Sequence, residues 1–169
     1  MWILLIVSLL LVLLIWFYYV SFIKSLFITK VPYVGTFNKD LKLLEQLDLR
    51  RWKLLIDLWC GDWKALRFFV KKFWIKGEGY DLNWFAIWWG KVLNKIFWCD
   101  IKLYRKNFYD VDIKKAHYIY LFLMPDVMED VENFVFENKS SDTVIIVNSF
   151  PFPNKKPFKV IGGKIYLYK

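Results

Sequence analysis

Histidine occurs once in this chain of 169 residues, cysteine twice and glycine only seven times. Each scarcity excludes something. Cys60 and Cys99 are too few for a disulfide framework or a tetrahedral zinc site, which suits a reducing compartment. His117 begins a β-type run and gives neither thiol an evident catalytic partner, so no metal site is expected. Internal repeats and low-complexity tracts are absent. Charge of either sign is missing from Trp2 to Ile23, which read "WILLIVSLLLVLLIWFYYVSFI".

What is present follows from these gaps. At ~1.5 Å per residue the uncharged run is long enough to cross a hydrocarbon core of about 30 Å. A cleaved signal peptide would show a basic leader, a shorter apolar core and a small-residue cleavage site. None is found, and an uncleaved anchor over residues 1–28 is expected, followed by one domain over 29–169. Lys24, Lys30, Lys39 and Lys42 follow the run closely, so the positive-inside rule puts that domain on the cytoplasmic side of a single-pass membrane protein. The net charge of +9 suits anionic headgroups, an acidic protein or nucleic acid, and composition does not choose among them.

After Val31 the chain alternates β-type runs with amphipathic stretches. The pattern predicts a helix near Phe37–Leu47 and strands at Lys53–Asp57, Gly77–Leu82, Ile101–Tyr104, Tyr118–Leu123 and Thr143–Asn148. Helices are predicted at Lys64–Phe73, Phe85–Phe97 and Asp126–Phe136. Strands separated by helices imply right-handed crossovers and a mostly parallel α/β sheet with helices on both faces. The closing segment, "FPFPNKKPFKVIGGKIYLYK", reads as a hairpin on the sheet edge, turning at Gly162-Gly163.

Ligands of such sheets bind at the carboxyl ends of the strands, and the loop after the first strand is the usual cradle. Here that loop is Leu58–Trp63, in which Gly61 alone lets a ligand approach the backbone closely. About twenty residues on, Asp81 in "GYDLN" stands where an acid can accept both hydroxyls of a ribose. An ordinary turn with Asp81 capping the next helix would satisfy the same pattern.

"LIDLWCGDWKALRF" followed by "GYDLN" resembles the first two motifs of the class I S-adenosylmethionine-dependent methyltransferases, Asp/Glu-x-Gly-x-Gly-x-Gly and then an acid ending the second strand. More narrowly, "VPYVGT" after one apolar span, "YRKNFYDVDI", "LFLMPDVMEDVE" and "DTVIIVNSFPFPNKKP" resemble, in order, the membrane-anchored lysine methyltransferases of the ATP synthase c subunit and the adenine nucleotide translocase, with their prokaryotic relatives. The resemblance implies a Rossmann-like methyltransferase sheet, S-adenosylmethionine as cofactor and a lysine of a membrane-embedded protein as acceptor. It assigns Asp57, the backbone of Trp59, Gly61 and Trp63, and Asp81 to the cofactor, with Asn107 and Phe108 against adenine. Met124 and Pro125 would position the acceptor nitrogen, and Phe150, Pro151, Phe152 and Pro153 would wall the substrate site. Methyl transfer to an amine needs alignment and a water-poor pocket rather than a metal or a covalent intermediate.

The departures carry information. Trp59 and Trp63 occupy family glycine positions, and Lys155 stands where an aromatic follows "FPFP". Ten tryptophans against seven glycines reverses ordinary usage. Trp52, Trp74 and Trp98 each precede a strand at a helix-to-strand corner, where a C-cap glycine is expected. The pattern predicts that positions 52, 59, 63, 74 and 98 are UGA codons read as glycine by the organism. Trp2, Trp16, Trp88 and Trp89 have settings that suit tryptophan. The expected strain shows as indoles of Trp59 and Trp63 crowding the cleft near Asp81, and as exposed rings at 52, 74 and 98. If all ten are real, the chain is instead a degenerate membrane-bound pseudoenzyme or binding module. An RNA methyltransferase is a further alternative, weakened by the anchor and by the lack of a basic patch interleaved with aromatics. A dinucleotide oxidoreductase ranks lower, because "DLGCGDG" lacks the glycine spacing of its fingerprint.

Overall fold

The computed structural model describes residues 2–29, 35–61 and 63–169. Most of the "VPYVGT" motif and Asp62 of the glycine loop lie outside them. The chain begins with helix α1 (Trp2–Thr29) and the short α2 (Asn38–Leu44). Then follow β1 (Leu54–Asp57), α3 (Lys64–Phe73), β2 (Lys76–Asp81), α4 (Trp84–Phe97) and β3 (Ile101–Arg105). The second half holds β4 (Tyr118–Leu121), α5 (Met128–Asn138), β5 (Val144–Asn148), β6 (Lys159–Ile161) and β7 (Ile165–Tyr168). The described side chains of α1 run without a gap only over 4–17. Among the described residues, no helix is long and apolar enough to cross a membrane.

The seven strands form one sheet in the order β3-β2-β1-β4-β5-β7-β6. The first five are parallel, and the closing hairpin adds β7 antiparallel to β5 with β6 at the edge. Alternation along the strands sorts the core into two layers. Leu55, Tyr120 and Ile146 join Leu66, Phe69 and Ile87 of α3 and α4 on one face, together with Leu44 of α2. Ile56, Ile119, Ile145 and Val147 join Met128, Val131 and Val135 of α5 on the other. A strand with both faces buried reads as a near-continuous apolar run, which is why "LLID", "YIYL" and "VIIVN" were legible as strands.

Element boundaries differ from the sequence expectation by a few residues. The largest shift is at α2, which ends at Leu44 rather than Leu47; α5 begins at Met128, after a separate 3₁₀ turn at Pro125–Val127. Proline is tolerated at the first position of that turn because an N–H there would have no acceptor within the turn. At the far edge the hairpin turns on Gly162 and Gly163, at φ 58° and 63°, and Lys164 reaches back to pair with the fully buried Asp40 of α2 at 2.6 Å.

Candidate functional site

Strand order reverses between β1 and β4, where Asp57 lies beside Tyr120. The crevice above this switch point is where parallel sheets hold ligands. Asp57 is buried, and its Oδ1 accepts the Trp59 N–H at 3.2 Å, which turns the chain sharply off the strand. The loop then crosses to β2: the Cys60 N–H donates to the Tyr80 carbonyl at 3.0 Å, and Gly61, at φ 44°, donates its N–H to Asp81 Oδ2 at 2.9 Å. Asp81 Oδ1 accepts the Asn83 N–H at 2.7 Å. Burial raises the Asp81 pKa above the ordinary aspartate value, while the N–H donors of Asn83, Gly61 and Leu82 oppose the shift. The helix cap is Asn83, whose side chain accepts from Phe85 and Ala86 at the start of α4. Asp81 is thus no cap. It is the carboxylate that ties the loop after β1 to the end of β2.

The tryptophans divide as the sequence suggested, with one correction. Trp52, Trp74 and Trp98 are 71%, 61% and 94% exposed. Trp59 is half-buried and edge-on to Phe108, with ring centroids 6.1 Å apart. Trp63 was expected in the cleft, but its ring lies in the core, against Gly90 of α4 and under the Arg67 guanidinium. The left-handed backbone at Trp63, φ 44°, accompanies this inward placement. Burial there leaves its indole N–H without a partner.

Phe108 is buried and contacts Tyr109 and Phe134. Asn107 caps the short turn that carries it, accepting the Tyr109 N–H at 3.2 Å. Met124 and Pro125 lead off β4 into the 3₁₀ turn, with Met124 half-buried and Pro125 exposed. In "FPFP", Pro151 and Pro153 face solvent and Phe150 is half-buried. Phe152 packs inward between Phe136 and Tyr168, and its N–H donates to the Tyr168 hydroxyl at 3.0 Å. The buried Glu132 holds the next turn by accepting the Asn154 N–H.

A buried polar set beside Asp57 escaped the sequence reading. The Tyr120 hydroxyl accepts the Asn148 amide at 3.1 Å, and Ser149 donates to Asn148 Oδ1 at 3.0 Å. Thr36, from "VPYVGT", also hydrogen-bonds Tyr120. Burial drives the Tyr120 pKa strongly upward, so the phenol stays neutral. The available signals were an Asn ending the apolar run "VIIVN" and a Tyr at the centre of "YIYL". A strand's alternation reports burial and says nothing of polar partners, so neither residue announces this contact.

The structure also corrects one absence. Lys64, Arg67, Lys71 and Lys72 share a groove with Phe68 and Phe97, and Lys71 sits 5.0 Å over the Phe97 ring. A basic patch interleaved with aromatics therefore exists. The helical spacing of "KALRFFVKKF" shows the cations, but Phe97 comes from the end of α4 and joins them only in the fold.

Parallel strands in this order, an edge hairpin, and an acid ending β2 bound to the loop after β1 define the class I methyltransferase fold, a Rossmann-like sheet. No protein-family model matches the chain. Over 135 residues it is 23% identical to the adenine nucleotide translocase lysine N-methyltransferase of Mus musculus, a stretch that is 79% of this chain and 59% of that protein. The chain thus spans less than two thirds of this relative. An RNA methyltransferase from Salinibacter ruber in complex with S-adenosyl-L-homocysteine superposes with a TM-score of 0.74 at 20% identity, covering 80% of this chain and 92% of that one. A methyltransferase from Geobacter sulfurreducens, also with S-adenosyl-L-homocysteine, gives 0.59 at 15% identity, covering 73% and 52%. Mycolic acid cyclopropane synthase CmaA1 gives 0.57 at 14% identity, covering 66% and 41%.

Proposed function

We propose that this chain is an S-adenosylmethionine-dependent methyltransferase acting on a lysine of a membrane-associated protein, in a form that carries glycine at positions 59 and 63. The observation that carries this reading is the Asp81–Gly61 bond across the ends of β1 and β2, which puts an acceptor carboxylate beside a close-approach loop. With tryptophan at 59 and 63 the cradle does not fit the cofactor. Trp59 packs on Phe108, the ring assigned to adenine, and Trp63 draws the loop into the core. The residues around it have clear tasks: Asp57 and Asp81 fix the loop, and hydrogen bonds tie Tyr120 of β4 to Asn148 at the end of β5 and Asn148 to Ser149. Pro151 and Pro153 stiffen the segment after β5.

A lysine acceptor is supported by the resemblance to lysine methyltransferases and by the mouse relative. Membrane attachment through a single N-terminal anchor, with residues 29–169 on the cytoplasmic side, is supported by the composition of α1. It gains from α4, which contacts α1 and turns Trp84, Trp88, Trp89, Ile96 and Phe97 outward near Lys91 and Lys95. Aromatics flanked by lysines suit a headgroup interface. An anchor would also raise the effective concentration of a membrane-embedded substrate.

Two measurements test the reading. Calorimetry on the full chain in detergent should show S-adenosylmethionine binding with glycine at 59 and 63 and none with tryptophan, and a glycine form that fails to bind would remove the enzyme assignment. Mass spectrometry of membrane fractions with and without the gene should show a methyl-dependent shift on a lysine-containing peptide. The second reading, methylation of RNA, is favoured by the groove of Lys64, Arg67, Phe68, Lys71 and Phe97. A methyl label found in RNA and in no membrane protein would select it.

A further inference from the structure

Four tryptophans hold left-handed backbone: Trp52 at φ 63°, Trp63 at 44°, Trp74 at 56° and Trp98 at 51°. Among the described residues the only other non-glycine residue with positive φ is Ser149. In this region Cβ crowds the following carbonyl, so residues other than glycine, and to a lesser degree Asn and Asp, are rare there. Trp74 and Trp98 close α3 and α4, returning their N–H groups to Val70 and Asn94, which is the geometry a C-cap glycine provides. Trp52 receives no compensation either: its ring is exposed, and its N–H serves only to bind the Trp74 carbonyl. Strain and solvent-facing indoles thus coincide at three corners, and at Trp63 strain coincides with a buried indole N–H that lacks a partner. The tryptophans of α4 are different. Trp84, Trp88 and Trp89 lie in regular helix with no positive φ.

We propose that the protein, as its own cell makes it, carries glycine at 52, 59, 63, 74 and 98, where UGA codons assigned to tryptophan in one genetic code are read as glycine in another. The backbone carries four of these positions irrespective of any ligand. Trp59 joins them on a separate observation. It is not left-handed, but its half-buried ring is placed edge-on against Phe108, beside the loop that a ligand must approach. Glycine at 59 uncovers Phe108, and glycine at 63 frees the start of α3 from its buried ring. The loop then reads Asp57-Leu58-Gly-Cys60-Gly61-Asp62-Gly, a sequence with no Cβ at three alternate positions, which lets a nucleoside ligand approach its backbone closely. In that respect the inference deepens the functional reading and rests on it. In all others it stands alone.

Peptide mass spectrometry of the protein from its source cells decides the matter. Glycine masses are expected at the five positions, with tryptophan retained at 84, 88 and 89. Tryptophan at any of 52, 59, 63, 74 or 98 would overturn the proposal, as would UGG codons there. A second readout uses the full chain expressed both ways. Glycine at the three exposed corners, 52, 74 and 98, should raise the melting temperature of the chain, whereas Trp88→Gly alone should lower it, because glycine inside a helix is destabilising. A chain with glycine at 52, 74 and 98 that melts lower or does not fold would also overturn the proposal. Neither readout involves methyl transfer, so glycine-bearing protein that binds no cofactor would fault the functional reading alone.

Discussion

The two halves of the sheet solve the same backbone problem with different residues. In the closing hairpin the chain turns through left-handed geometry at Gly162 and Gly163, and in the first half it does so at Trp52, Trp63, Trp74 and Trp98. Glycine meets such a bend without a Cβ in the way. Tryptophan meets it with strain and, at three of the four positions, with a ring held out in water. The difference teaches that the fold asks for glycine at each place, and that the hairpin and Gly61 of the loop after β1 have it while the four tryptophan positions do not. Helix α5 shows the requirement is local, since it ends at Lys139 in extended backbone, φ −74°, and has no left-handed residue to fill.

The comparison is broken most forcefully by giving the hairpin what the corners have. Gly162 sits at φ 58°, and a Cβ there would lie 2.5 Å from Leu43 Cδ2. Gly162→Ala combines left-handed strain with overpacking against α2, a loss of ~2–5 kcal/mol. Chemical denaturation of the five-glycine chain measures it, and a loss under about 0.5 kcal/mol would mean this backbone bears side chains more easily than argued.

Next in size is the site itself. In the five-glycine chain, Asp81→Ala removes the acceptor for the Gly61 and Asn83 N–H groups and for a ribose. Cofactor affinity should fall by about 1–3 kcal/mol. Calorimetry reads this directly, and unchanged affinity would move the ribose elsewhere on the sheet.

A smaller effect separates strain from exposure at the corners. Trp98→Ala removes the 94% exposed ring and keeps a Cβ at φ 51°, whereas Trp98→Gly removes both. The glycine variant should exceed the alanine variant in stability by ~1 kcal/mol. Equal stabilities would assign the defect to the indole rather than to the backbone.

Most of this architecture was legible in the sequence. Buried strands announce themselves as apolar runs, and the amphipathic spacing of Lys64–Phe73 marks α3 to the residue. The left-handed corners were legible through position alone, as wrong residues where a cap belongs. The direction of the Trp63 ring was not, because a loop's backbone angles decide whether a side chain faces cleft or core. Nor was the Tyr120–Asn148–Thr36 set, whose members are 28 or more residues apart and meet only when β4, β5 and the segment before α2 are assembled. The same holds for the basic groove completed by Phe97.

The finest test concerns pH, and it sets the two roles of Asp81 against each other. Burial raises its folded pKa above the unfolded value, with the Asn83, Gly61 and Leu82 donors opposing. The folded chain therefore holds this proton more tightly than the unfolded chain. Asp81 contributes its full share of stability below the unfolded value and loses it as pH rises through the raised folded value. Accepting ribose hydroxyls requires the ionised form. Cofactor affinity should then move the opposite way, falling as pH drops through the raised value, by at most ~1.4 kcal/mol per pH unit. Titrating the five-glycine chain with S-adenosylmethionine from about pH 7 down toward the ordinary aspartate value of ~3.9 exposes this window, with Asp81→Asn as the variant that flattens the profile. Affinity that holds constant until the ordinary aspartate range would show that the loop donors outweigh burial, and that Asp81 is ionised as readily as an exposed carboxylate.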